Sequence, residues 1–488
     1  MAKQKCYTLF AWAFAAVFAL VLADVLFNNR TPYYEVKLLP ALVCCAAAFG
    51  VLVVLWQGWK KLRWQPGFRL EIGLVAALLV GYLLVQMVFA FVLEVQPTRT
   101  WDFGLVFSAA QQYAQTGVLP ADYFNQFHNN APMYLVLVAV FKVLGALGVE
   151  NTMPAALVCN VLCVNVSLLL LYRVLRHLYG VKNALFGLIG AFLFLPFLLY
   201  GPIVYTDTVT LPFPIGALAL WLSARDRPAG AGRMLRCMGA GFLAAAGAWL
   251  KITVAIALVA AVLDALLYAG SRKGWKMAAC MAVSFAALYT VLSVAALISP
   301  WLPAYDKEKA IPWQHWVMMG LSGDGGYNDA DYKLTLQGED YSARVQIAQS
   351  EIVRRIEEMG PKGLLSHGLD KLSYIFGDGL YYAPMKLDIG SVHKGNFLQE
   401  YFIQGMRHTG RSVYAALGIQ VAMLAGLAAA SVNAARRRDH RATVLRVAVL
   451  GLALFLLLWE ARSRYLLNFL PVMLVAAFPA VDEGSQSV

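Results

Sequence analysis

Charge is scarce in this chain, and the short motifs of soluble enzymes are absent. Only 14% of its 488 residues are Asp, Glu, Lys or Arg, too few to cover the surface of a soluble fold of that length. The seven cysteines (Cys6, Cys44, Cys45, Cys159, Cys163, Cys237 and Cys280) lie in or beside apolar runs. That placement excludes a disulfide framework and a CxxC metal site. Cys159 and Cys163, one helical turn apart, read as small helix-packing residues. No HExxH, Walker, GxSxG or Gly-rich phosphate-loop pattern occurs, so ATP-driven and serine-hydrolase chemistry have no support. No internal repeat or low-complexity tract is present.

What the chain has instead is apolar length. It is 60% hydrophobic, and its continuous apolar runs reach the roughly 20 residues that cross about 30 Å of hydrocarbon. The runs do not alternate, which excludes a β-barrel. The expectation is an all-α polytopic membrane protein with spans at 7–27, 36–56, 70–95, 153–173, 183–200, 207–223, 235–250, 253–270, 277–298, 413–433, 442–459 and 464–480. The first run follows Lys3 and Lys5. It reads as an anchor and not a cleaved signal, because Asp24, Asn28, Asn29 and Arg30 make a poor small-residue cleavage site.

The net charge of +12 sits mainly in short loops: Lys60, Lys61 and Arg63; Arg173, Arg176 and Lys182; Arg225, Arg227 and Arg233; Arg272, Lys273 and Lys276; Arg436, Arg437, Arg438 and Arg441. The positive-inside rule places these loops in the cytoplasm. No basic-aromatic pattern points to nucleic acid. Pro132–Val149 breaks the parity. Pro132 suits a helix start and Lys142 would be costly at the bilayer centre, so this segment is expected to lie along the outer interface. Twelve spans then leave both termini cytoplasmic. Residues 1–69 form two additional N-terminal spans. Residues 70–298 form a membrane core with a first outer loop at 96–130 and an interfacial helix at 132–149. An extracytoplasmic α-rich segment occupies 299–411, with an amphipathic helix at Tyr341–Glu358, and the last spans occupy 412–488.

This topology gathers the unusual polar residues on one side. Asp102 follows a long apolar helix and could serve as a base or bind a metal, or else be a solvated loop acid or cap a helix starting at Phe103. Asp207, in YTDTVTLPF, is expensive near the bilayer unless paired, or is an N-cap. Lys251, in WLKIT, suits a phosphate at a helix junction or snorkels to headgroups. Glu460, Arg462, Arg464 and Tyr465, in WEARSRYLL, crowd into one turn that can bind an anion or anchor at the interface. His128, Asn129 and Asn130 could bind sugar hydroxyls or cap the helix after them. His315, Tyr327 and Asp378 are further outer-face candidates, each also readable as a solvated loop residue.

The layout resembles the GT-C superfamily of integral membrane glycosyltransferases, particularly the branch similar to protein mannosyltransferases and aminoarabinose transferases. The resemblance rests on Asp102 in a long first outer loop, Asp207 at the start of a later span, and a late outer segment. The strings NNAPMYLVL, YTDTVTLPF, LKIT, HWVMMGL with GGYND, and EARSRYL add to it, and it covers Glu94–Pro479. The paired Asp-Glu usual in the first loop is absent, since Phe103 follows Asp102. The resemblance implies inverting transfer of a sugar from a polyprenyl-phosphate donor to a glycan, lipid or protein acceptor outside a bacterial plasma membrane. It makes Asp102 the base, has Asp207 orient the acceptor or support Asp102, and puts Lys251, Arg462 and Arg464 on the leaving phosphate. It leaves metal use open, a divalent cation included. The rival readings are a transporter or flippase of a lipid-linked sugar, whose signature would be paired repeats, broken helices and charges near the midplane, and a non-catalytic envelope-assembly subunit.

Overall fold

A computed structural model describes residues 2–478 apart from 63, 65, 121, 269, 270 and 393. Arg63 and the last residues of the 464–480 span therefore lie outside the described residues. The fold is all-α. Its main helices are α1 (Ala2–Phe27), α2 (Leu38–Lys61), α3 (Phe68–Val92), α4 (Asp102–Thr116), α5 (Ala131–Ala146), α6 (Thr152–Gly190), α7 (Pro212–Arg225), α8 (Ala231–Leu250), α9 (Ala255–Tyr268), α10 (Ser271–Leu297), α11 (Tyr341–Phe376), α12 (Thr409–Arg437), α13 (Thr443–Leu458) and α14 (Leu470–Ala477). Among the described residues, eight helices are long and apolar enough to cross a membrane, and three shorter apolar stretches accompany them.

Small residues bring the helices together. An added Cβ at Gly241 of α8 would meet Ser284 Oγ of α10 at 2.1 Å, so the backbones of these two closely packed helices approach as they do in lipid, where close packing replaces the hydrophobic effect. In the same way α12, rich in Ala and Gly, holds α1 and α2. Ser431 Oγ donates to the Ala11 carbonyl at 2.8 Å, and Gly418 sits against Ala48 and the Cys44 carbonyl.

Some boundaries differ from the sequence reading. The helix expected to stop at residue 173 continues through Arg173 and Arg176, because a charge ends a membrane crossing without ending a helix. The break comes at Gly180, whose φ of 83° favours a residue without a Cβ. The 207–223 span is not one α-helix. A turn at Thr206–Val209 precedes Pro212, which opens α7. The 464–480 span begins as a 3-10 helix over Ser463–Phe469 and becomes α-helical at Leu470. The expected Tyr341–Glu358 helix is followed by a break at Gly360 (φ 56°) and by Pro361, after which α11 resumes. Pro132 stands in the first turn of α5 as expected. This helix packs chiefly on α4, with Lys142 Nζ over the rings of Tyr113 and Trp301 at 5.1 and 5.9 Å.

The bundle has two chemically distinct ends. At one, the basic loops meet: Lys182 Nζ donates to the Leu62 carbonyl at 2.5 Å, Arg225 to the Arg441 carbonyl at 3.0 Å, and Arg441 to the Leu178 carbonyl at 3.1 Å. Tyr7 and Phe478 both lie at this end, against His440 and Tyr179 respectively. At the other end, Pro300–Arg411 folds down onto the helix ends. Lys371, buried, donates to the carbonyls of Gly320, Leu457 and Trp459 at 2.8, 3.0 and 2.7 Å. Glu460 N–H and Ala461 N–H donate to Trp316 and Gly325.

With the exposed native thiols Cys6 and Cys159 removed, single cysteines at Asp122 and Arg227 are expected to react with an impermeant maleimide from opposite sides of sealed vesicles. Labelling of both from one side overturns the two-ended arrangement.

Candidate active site

Asp207 is the hub of the end beneath Pro300–Arg411. The turn that carries it is fixed by Asn160, whose amide donates to the carbonyls of Tyr200, Gly201 and Ile203 at 2.9–3.1 Å, and by Thr208 Oγ1, which donates to Ile203 and Tyr205. Asp207 is 1% exposed. It caps nothing: the residue before its short helix is Tyr205 and no side chain caps the turn. Its Oδ1 is held by Lys251 Nζ and its Oδ2 by Arg464 Nη1 at 3.3 Å. Lys251 reaches it because α8 ends at Leu250, leaving Lys251 extended before a 3-10 turn, a break where two spans were expected to meet.

The Glu460–Tyr465 turn supplies the rest. Tyr465 Oη donates to Glu460 Oε2 at 2.6 Å and presents its ring to Lys251 and Arg464, each at 4.9 Å. Arg462 lies 3.6 Å from Glu460 and over the rings of Tyr382 and Tyr327 at 4.9 and 5.7 Å. Asp102 joins through hydrogen bonds. Tyr123 Oη donates to Asp102 Oδ1 at 2.8 Å, Asn130 Nδ2 to Tyr123 Oη at 2.6 Å, and Tyr205 Oη to Asn130 Oδ1 at 2.7 Å. Like Asp207, Asp102 makes no capping bond.

Several members were not legible beforehand. Trp101 stacks under Arg464 at 4.3 Å and under Lys386 at 4.1 Å. Lys386 is 5% exposed, and no anion pairs with it among the described residues. Burial, together with Arg464 and Arg462, pushes its ammonium down to about 6. The signal was available: Lys386 is a lone charge in the semi-apolar run YYAPMKL, as Lys251 is in its own. Tyr381 and Tyr382 adopt φ of 55° and 66°, strain that is uncommon outside glycine. It is held by Asp378, which takes the N–H groups of Leu380 and Tyr382 at 2.9 and 2.6 Å, Ser463 Oγ at 2.8 Å, and the Tyr33 hydroxyl. Asp378 is thus a buried backbone clamp that shapes the site, with its oxygens already engaged.

The other candidates separate. Tyr327, half exposed, lies at the rim beside Arg462. His128 stacks on Tyr305 at 4.2 Å, its imidazolium disfavoured by burial. Asn129 leans on Asn130 at 3.5 Å. His315 is buried, bonded to Thr335 Oγ1 at 2.7 Å, and pushed by burial down to about 4. It is a neutral packing residue within 300–411.

The cluster is rich in cations and has idle donors. Lys251, Arg462 and Arg464 stand against Asp102, Asp207 and Glu460, Lys386 is a further amine that becomes a surplus cation when protonated, and the buried Trp101 Nε1 and Arg464 Nε have no hydrogen-bond partner. Unpartnered buried donors are rare and costly, and planar guanidiniums fit phosphate oxygens. Both Asp207 oxygens are occupied by cations, and no three His, Cys, Asp or Glu residues converge among the described residues. The donor set fits an anion and does not fit a divalent cation. A cavity of about 890 Å³ lies not here but at the basic end.

The family model that matches residues 3–484 is described as a conserved hypothetical integral membrane protein. No curated protein matches. Among solved structures, an archaeal oligosaccharyltransferase AglB from Archaeoglobus fulgidus, in complex with an inhibitory peptide and a dolichol-phosphate, aligns over 83% of this chain at 13% identity and a TM-score of 0.44. The aligned chain spans about half (49%) of that protein.

Titration with a short dialkyl phosphate, which stays fully ionised near neutral pH, is expected to take up a proton, because an anion beside Lys386 raises its pKa from about 6 toward the usual 10.5. Affinity then falls as pH rises above about 6. Calorimetry in buffers of different ionisation enthalpy reads the proton, and Lys386→Met is expected to abolish its uptake. Proton release, or no change, overturns the assignment.

Proposed function

The chain belongs to that family of conserved hypothetical integral membrane proteins, and we propose from its ion cluster that it is a GT-C-type membrane glycosyltransferase. It moves a sugar from a polyprenyl-phosphate donor to a cell-envelope acceptor on the extracytoplasmic face. The observation that carries this reading is the buried, cation-rich cluster with unpartnered donors, set beside Asp102 at the end of the bundle remote from the basic loops. In this reading that end faces outside, both termini are cytoplasmic, and α5 lies along the outer interface.

The roles follow from the contacts. Lys251, Arg462, Arg464 and Lys386 hold the donor phosphate. As the glycosidic C–O bond breaks, its electron pair goes to the phosphate oxygen, and these cations stabilise the charge that develops there. So good a leaving group needs no general acid. Asp102 takes the proton of the acceptor hydroxyl as that oxygen attacks the anomeric carbon, with Tyr123 orienting the carboxylate. Asp207 is a positioning residue. It fixes Lys251 and Arg464 and is too occupied to hold the acceptor. Glu460 and Tyr465 do the same for the turn that presents Arg462 and Arg464. Trp101, Tyr382 and Tyr327 supply aromatic faces on which a sugar ring can stack. The lipid tail approaches between the spans.

With purified protein and polyprenyl-phosphate sugars as donors, Asp102→Asn is expected to slow transfer by about 10²–10⁴-fold while donor binding is retained. Lys251→Met is expected to weaken donor binding. Transfer by Asp102→Asn at the normal rate removes Asp102 as the base. Lipid movement across vesicles, with no transfer from any donor, removes the enzyme reading.

A further inference from the structure

The cavity of about 890 Å³ lies at the opposite end of the bundle, between α3, α6, α7 and α8. It belongs to no part of the site above. Its walls are apolar, with Ile72, Leu79, Leu170 and Leu243 among them. From Glu71 to Leu79 along α3 it reaches about 12 Å inward at 1.5 Å per residue. Its mouth is cationic: Arg173, Arg176 and Arg236 line it beside His177.

These groups are arranged and not merely nearby. Glu71 Oε1 accepts from Arg176 Nε at 2.5 Å and from the Tyr172 hydroxyl at 2.7 Å, and Glu71 Oε2 accepts from Arg176 Nη2 at 3.2 Å. The pair fixes Arg176 and cancels its charge. His177 is paired with Asp226 at 2.7 Å. Arg236 is braced by Ser223 Oγ and the Gly232 carbonyl, each at 3.0 Å, which uses Nε and Nη1. Arg173 is exposed and makes no salt bridge among the described residues, Glu71 being paired with Arg176. Arg173 and Arg236 are therefore cations left over at the mouth of an apolar, bilayer-level crevice.

We propose that this cavity binds one acidic phospholipid of the adjoining leaflet, its phosphate between Arg173 and Arg236 and its acyl chains against α3 and α8. The cavity's size is in the range of ligand pockets. A soluble anion would leave the apolar walls unfilled, and a zwitterionic lipid would leave the two arginines without net compensation. The excess charge thus selects the headgroup and the depth selects a lipid. The proposal does not depend on the activity assigned to the opposite end.

The full chain, reconstituted in nanodiscs of phosphatidylcholine with a minor share of phosphatidylglycerol, can be released and weighed by native mass spectrometry. Wild type is expected to retain phosphatidylglycerol above its share. Arg173→Gln and Arg236→Gln are each expected to reduce that preference by about fivefold. Ala219→Trp fills the apolar wall and spares every cation, and it is expected to lose both lipids alike. Retention in the bath ratio by wild type, or an unchanged preference in the double arginine variant, overturns the proposal. Displacement of the retained lipid by inorganic phosphate alone overturns it too, reassigning the mouth to a soluble anion.

Discussion

The interaction on which the rest depends is the engagement of Asp207 by Lys251 and Arg464. Taking a carboxylate out of water costs several kcal/mol even after relaxation. A unit charge pair about 4 Å apart returns about 4 kcal/mol at an effective dielectric near 20, so one partner does not suffice and two are present. The three residues come from separate parts of the chain: the turn before α7, the break after α8, and the turn after α13. Breaking either contact leaves Asp207 with a single partner and strands the other cation. The triad therefore fixes where three helix ends stand relative to one another.

Around the triad, the backbone polar groups exposed by broken helices are each answered by one side chain. Asn160 answers the carbonyls of the Asp207 turn, Lys371 those of Gly320, Leu457 and Trp459, and Asp378 the N–H groups of the strained Tyr381–Tyr382 corner. Irregular backbone is tolerated at membrane depth only where protein buries and satisfies it. The segment 300–411 is thus no separate lid. Its bonds to residues 457–463 are part of what holds Arg462 and Arg464 in place.

The sequence made the bundle legible because hydropathy reads the bilayer directly, and it made the triad legible because a charge in an apolar run has few cheap explanations. Asp207, Lys251 and Arg464, each singled out alone, prove to be each other's partners. Where the reading fell short, the cause was contact across the chain. His315 and Asp378 look like solvated loop residues or ligands by composition, yet Thr335 claims one, and two backbone amides, Ser463 and Tyr33 claim the other. Trp101, beside Asp102, has an ordinary explanation in sequence as an aromatic at a membrane boundary. Only the stacking of Arg464 and Lys386 on its ring marks it out. Helix ends were misplaced where proline and glycine, not charge, did the breaking, as at Gly180 and Pro212.

The position of the charges also bears on how a lipid-linked substrate would be handled. Asp207 opens a helix, Lys251 closes one, and Arg462 and Arg464 lie between two more. All sit at helix ends, beside the segment 300–411. A carrier that moves its substrate across is expected to hold it near the midplane, at broken helices between repeats that rock, whereas the breaks at Thr206–Val209 and Lys251 stand with the ion cluster at helix ends. A phosphate held at helix ends stays at the interface with its tail in lipid, and only the sugar needs to reach the aqueous side. Under the proposed function, that geometry would suit a reaction in which the lipid product remains in its leaflet while the sugar leaves it, because cations set around a phosphate gain most as its negative charge grows.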